Sequence, residues 1–549
     1  MKKLITYLIL SCIVFPVFSQ EIENKYGEIH GNFQIDLQSY KEDSIIGAPA
    51  VPEKMRLNSY SNLIYTKGKF TAGVRYEAYY NTLLGFDQRY NGHGIAYRFA
   101  SYKTEDLEIT AGSFYEQFGS GLILRTYEEK TLGIDNALDG FRLKYRPIKG
   151  LTITGLIGKQ KKYFEYGEGI VRAINGEVSL NEMFAKLSEK KTKVLFGGSF
   201  VSKYQQSSDP VYNLPQNVGA YAGRFTVSRG KISLNTEYAH KLNDPSYDNG
   251  FIFKDGQAIF SNISYSQKGM GVIFGFQTLD NMSFRSERSA TINDLTINYL
   301  PAISKTQTYS LAAMYPFASQ PQGQIGFNGE FFYNFKSNSK LGGKYGTNLN
   351  INYSQVNEIE KTKIIVNPED EIPNLDGYES SLISMGEKVY FRDFNIEIQR
   401  KISKKYKLGL SYMHQEYDKD VIQGLSGYGV IKSDIFVADM TYKINSTHSI
   451  RIEAETLNTK QDKGDWVMLL LEYSYSPNWF LAIYDQYNYG NPEEEQQIHY
   501  FNATAGYTTG ANRFQIGYGK QRAGVMCVGG VCRYVPASNG ITFSFSSSF

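Results

Sequence analysis

From Tyr26 onward the chain is dominated by runs in which apolar and polar residues alternate one by one, and most of these runs are about 10–13 residues long. Period-two alternation marks strands with one apolar and one polar face. In YKLGLSYMHQ, Tyr406, Leu408, Leu410 and Tyr412 oppose Lys407, Gly409, Ser411 and Gln415; in the final run Ile541, Phe543, Phe545 and Phe549 oppose Thr542, Ser544, Ser546 and Ser548. A tilted strand needs about 9–11 residues to cross an outer membrane, so this length and pattern predict an all-β chain of lipid-facing and lumen-facing residues. Abundant Tyr (44), Phe (34) and Gly (51) with few Pro (15) fit the same reading.

The connections supply a second pattern. TKGK (66–69), KTED (103–106), PIKG (147–150), SRGK (228–231), SQKG (266–269), NSTH (445–448) and SPNW (476–479) read as tight turns, whereas 205–217 and 420–434 read as long polar loops. Tight turns on one rim and long loops on the other are the mark of a transmembrane barrel with its short side toward the periplasm. The expected fold is a single antiparallel outer-membrane barrel of about 20–26 strands over residues 20–549. Alternation fails between about Asn281 and Gly386, where loops, in-barrel segments and irregular strands all remain open.

Residues 1–19 form an expected signal peptide: Lys2 and Lys3, then an apolar run from Leu4 to Phe18 that is too short to span a bilayer, then Ser19. Cys12 lies inside that run, which argues against a lipoprotein cleavage site. Of 58 Lys and Arg, two lie in this leader, leaving 56 against 55 Asp and Glu, a balance that gives no reason to expect nucleic acid as a partner. Outer-membrane lipid, and other outer-membrane proteins, are the expected partners.

Two features stand out as candidate sites. Cys527 and Cys532 flank Gly529-Gly530, which supplies the positive φ of a two-residue hairpin turn. The cysteines would then be a non-hydrogen-bonded pair about 4.5 Å apart at Cα, close enough for a disulfide. A stapled extracellular hairpin over 524–540 follows. The second feature is the stretch 119–139, expected as the third long loop. Leu122, Ile123, Leu124, Leu132, Ile134 and Leu138 are too apolar for a solvated loop, so it is expected to fold into the lumen. Arg125, Glu128, Glu129, Lys130, Asp135 and Asp139, with Arg142, Lys144 and Arg146 on the next strand, would line what space remains. A loop that seals the barrel and a loop that forms a charged constriction are both open at this point.

The run FGSGLILR…LGIDNALDGFRLKY resembles segments of large porins and polysaccharide-export barrels. Together with GGVCRYVPASNGITFSFSSSF it is similar to an uncharacterised family of Bacteroidota outer-membrane barrel proteins, a resemblance that implies fold and location but no activity. The six histidines, His30, His93, His240, His414, His448 and His499, form no H-x-x-x-H spacing, and no nucleophile elbow or phosphate loop occurs. The acidic stretch 368–376 could bind Ca²⁺, but its default reading is a solvated loop. The expectation is therefore no enzyme and no cofactor, but a porin-like channel for small polar or anionic solutes. The alternative is a non-conducting barrel acting as scaffold or accessory subunit of an outer-membrane assembly or secretion complex.

Overall fold

The computed structural model describes residues 26–207, 209, 213–364 and 377–549. The expected signal peptide, Cys12 and the acidic stretch 368–376 lie outside them. Twenty-four strands form one antiparallel sheet in which each strand pairs with its chain neighbours. The last, Ser538–Ser548, returns to the first, Glu28–Tyr40, with Leu37 opposite Phe543, so the sheet closes without an edge. Phe549 completes the seam by exchanging backbone hydrogen bonds of 3.0 and 2.9 Å with Gly31, and its ring lies where a Cβ at Gly31 would be.

The outward side chains form the apolar band that a bilayer covers. Ile157, Ile174, Leu469, Leu471, Ile483 and Ile516 are all exposed on it. Near the turn rim the outward residues become aromatic: Phe70, Tyr102, Tyr145, Tyr406, Tyr475 and Trp479, with Trp479 packed on Tyr507 at 4.5 Å. Apolar band and aromatic girdle together are those of a transmembrane β-barrel. Among the described residues no helix is long and apolar enough to cross a membrane.

Rim asymmetry holds with physical exceptions. Two short helices, Leu180–Met183 and Ala185–Ser188, widen one connection on the turn rim, and residues 163–164 make a tight turn on the loop rim. Some expected boundaries shift. The fifth strand, Leu107–Phe114, ends before Gln117 because the chain turns inward there: Thr126 N–H donates to Glu116 O at 2.9 Å, and Gly119 and Gly121 take positive φ. The next wall strand starts at Leu138, so the loop spans 115–137 and Asp139 belongs to the wall. Likewise Val430 already opens a strand, so that loop is shorter than 420–434.

The stretch without clear alternation, 281–386, resolves into three wall strands, Gly323–Phe335, Thr347–Lys363 and Tyr378–Lys401, preceded by an inserted segment. Residues 281–322 leave the wall at Asn281, whose φ of 47° turns the chain inward, and cross the lumen as a strap.

Candidate functional site: the lumen

The strap is anchored on two opposite stretches of wall. Its first half packs Met282, Phe284 and Ile297 into an apolar cluster with Phe114, Phe118, Leu122, Ile123 and Leu124. The wall behind that cluster is lined by Ala173, Ala220, Ala222, Ala239 and Ala258, whose small side chains leave room for the inserted chain. Backbone bonds fix the approach: Arg125 N–H donates to Ile297 O at 2.8 Å and Tyr299 N–H to Gly121 O at 2.9 Å. The second half carries Ile303, Leu311, Tyr315 and Phe317 into a separate cluster with Phe391, Tyr417, Ile435, Trp466 and Tyr500. There Glu455 accepts from Ser310 N–H at 3.0 Å and Leu311 N–H at 2.9 Å, and Gln307 donates to Asp393 and Asn395.

These contents fill the loop half of the lumen and leave the turn half open. Along the strand Met55–Lys67 the inward Arg56, Asn58 and Tyr60 are buried, but Asn62 and Thr66 are not. Along Asn217–Arg229, Val218, Ala220, Ala222 and Arg224 are buried whereas Thr226 and Ser228 are half-buried. Along Trp466–Tyr475, Trp466 and Met468 give way to half-buried Leu470, Glu472 and Ser474.

The nine residues expected to line a constriction do not converge on one open space. Glu128 and Asp135 sit in a buried charge cluster with wall residues Arg75, Glu77 and Lys161. Arg75 lies 3.0 Å from Glu128 and also pairs with Asp135, while Lys161 reaches Asp135 at 2.6 Å and Tyr115 donates to Asp135 at 2.8 Å. Burial pushes the Glu128 carboxyl up; at Asp135 the same burial is outweighed by Lys161 and Arg75, which hold it below the usual carboxylate range. The oxygens of Glu77, Glu128 and Asp135 come within 4.8 Å of one another, but the two cations already occupy their lone pairs, so the cluster reads as an ion-paired lock.

Arg125 stacks on Tyr299 at 3.9 Å and Lys130 on Tyr60 at 4.5 Å, while Glu129 caps Thr131 N–H. Arg142 and Lys144 do face inward, but Arg142 pairs with Glu108 and Glu116, and Lys144 with Glu116 at 2.9 Å, so their positive field is largely neutralised. Arg146 is exposed near the turn rim. Asp139 is a correction: it shares the outward face with Phe141 and Tyr145 and pairs with Arg98 at 3.3 Å, because period two puts odd-numbered residues of that strand outside. Glu108 was legible by the same parity, since it alternates with Leu107 and Ile109 and thus faces inward near Arg142.

Cys527 and Cys532 are a disulfide with Cα atoms 4.1 Å apart, directly opposed in the hairpin Gly524–Val528/Val531–Val535. Gly529 and Gly530 take φ of 58° and 88° at its tip. The hairpin packs onto the strap: Tyr299 OH donates to Gly529 O at 2.6 Å and Asn293 to Cys532 O at 3.1 Å. What the sequence did not reveal is the strap itself.

Comparison with solved structures finds other barrels at low similarity. The translocation pore of the P pilus usher PapC matches at 9% identity and a TM-score of 0.42, covering 95% of this chain and 99% of that one. The siderophore receptor PirA from Pseudomonas aeruginosa matches at 9% and 0.42, covering 95% and 80%. OccAB3 from Acinetobacter baumannii matches at 10% and 0.33, covering 95% and 99%. No curated protein matches the chain. A family model matches residues 1–549 throughout, and the chain accordingly belongs to DUF6029, a family of unknown function.

Proposed function

We propose that this protein is an outer-membrane barrel that is closed as folded and serves as a scaffold or accessory subunit of an outer-membrane assembly, not as a standing porin. The observation that carries this reading is the strap 281–322, bonded to wall strands on both sides of the lumen, with the inward wall residues beside it buried. Barrels of about 16–18 strands leave an aqueous channel, so one of 24 strands needs internal filling to be tight. The expected leader at 1–19 and the apolar outer band support placement in the outer membrane, with lipid around the barrel and an open polar vestibule on the periplasmic side, where a partner protein would be received. No catalytic role is assigned.

A solute channel is the second reading, favoured by the polar, accessible turn half; it requires the strap to move. Planar-bilayer recording of the purified protein separates the two. Inserted, heat-modifiable barrels should stay silent or conduct only in rare, small steps. Steady conductance of porin size would overturn the closed reading.

A further inference from the structure

A cavity of about 420 Å³ lies where the strap, the wall and the stapled hairpin meet. Its polar lining includes Ser310 and Gln486, its aromatic lining Phe391, Tyr484 and Tyr500. Into it faces Arg522, which follows the strand Asn512–Gln521 and is half-buried. The other two cations of the lining are already neutralised: Lys520 pairs with Asp43 at 2.8 Å and Lys305 with Glu397 at 3.4 Å. Arg522 is different. Its surroundings are Tyr315, Tyr484 and Tyr500, with Trp466 under the guanidinium at 5.9 Å, and among the described residues no carboxylate lies within ion-pair distance. Asp462, the acid whose charge it feels, is already held by Lys419 at 2.8 Å and Tyr315 at 3.1 Å.

A half-buried guanidinium among aromatic rings with no anion beside it carries an unmatched charge, and its fork of donors matches a carboxylate. The volume falls in the range of small-molecule sites, which are mostly apolar with a few placed polar groups. We propose that this cavity binds a small organic monoanion, its carboxylate on Arg522 and its apolar body against Tyr484, Tyr500 and Phe391. One unpaired cation selects one negative charge: a dianion such as a phosphate monoester would bring a surplus charge into a space whose lining, among the described residues, has no second free cation. Because strap, hairpin and wall all line the cavity, the ligand stabilises the closed arrangement. The site does not depend on whether the barrel conducts.

The chain has two tryptophans, Trp466 and Trp479, so Trp479→Phe leaves Trp466 beside Arg522 as the only indole. The full-length protein carrying that change is titrated in detergent with benzoate, with neutral benzamide and with phenylphosphonate near pH 8, while Trp466 emission and, separately, calorimetric heat are read. Benzoate should give a saturable response, and benzamide and the dianion should bind at least about tenfold more weakly, a difference of one decade in Kd. Arg522→Gln should lose the benzoate response by a similar factor, and Arg522→Lys should keep part of it, with heat-modifiable mobility confirming that each variant is folded. Should Arg522→Gln fail to fold, the benzoate–benzamide comparison decides without any variant. Benzamide binding as well as benzoate, no saturable benzoate response by either readout, or a folded Arg522→Gln that titrates like its parent would each overturn the site. None of these outcomes bears on bilayer conductance, so this site and the closed-barrel reading fail separately.

Discussion

Replacing residues 281–322 by a two-residue Asn-Gly turn should convert a silent barrel into a wide pore. The excision is geometrically simple, because Asp280 and Gly323 face each other as the last pair of the strands Met270–Asp280 and Gly323–Phe335. Asn-Gly joins such a pair as a tight primed turn. The wall keeps its closing hydrogen bonds, while the strap's contacts on both sides of the lumen disappear together. Lumen width grows with strand number, so conductance in planar bilayers should rise by roughly an order of magnitude or more over the intact protein. Deleting 122–136 alone should do far less, since that loop covers only one stretch of wall. A folded, strapless barrel that stays silent would show that the strap is not what closes the lumen.

The second large effect lies in the charge lock. Arg75 → Met leaves Glu77, Glu128 and Asp135 around Lys161 alone, in a place where Glu77 and Lys161 are almost wholly buried. Breaking a buried pair by removing one partner costs about 3–5 kcal/mol. The variant should unfold from lipid vesicles at distinctly lower urea than the parent. Combining it with Glu77→Gln and Glu128→Gln leaves one Lys161–Asp135 pair and should recover most of the loss. If Arg75→Met alone unfolds within about 1 kcal/mol of the parent, the cluster is not the anchor of the 115–137 loop.

The barrel was legible because period two, turn length and rim asymmetry are local properties of the chain. The same locality made the cysteine hairpin readable: Gly529-Gly530 fixes the turn, and the turn fixes Cys527 opposite Cys532. The strap is not local in this sense. Its first half packs on one wall and its second half on another far away in sequence, Phe284 and Ile297 on the first and Leu311 and Phe317 on the second, so no single strand-like period runs through it. Its partners, such as Glu455 for Ser310 and Leu311, lie more than a hundred residues away. The lumen charges failed for a related reason. That Arg142 and Lys144 face inward follows from parity, but that Glu108 and Glu116 cancel them depends on how adjacent strands and the start of the loop are aligned.

The closed lumen predicts different access from the two sides of the membrane. With Cys527 and Cys532 joined, a cysteine introduced at an inward position is the reactive thiol among the described residues. Ser546 faces the open turn half and is exposed; Ala222 faces the filled loop half and is buried. An impermeant maleimide added to intact cells should leave Ser546→Cys unlabelled, and should label it rapidly once the periplasmic side is opened, whereas Ala222→Cys should resist from both sides. Labelling of Ser546→Cys from outside at the rate seen from the periplasm would contradict a lumen closed by its own chain.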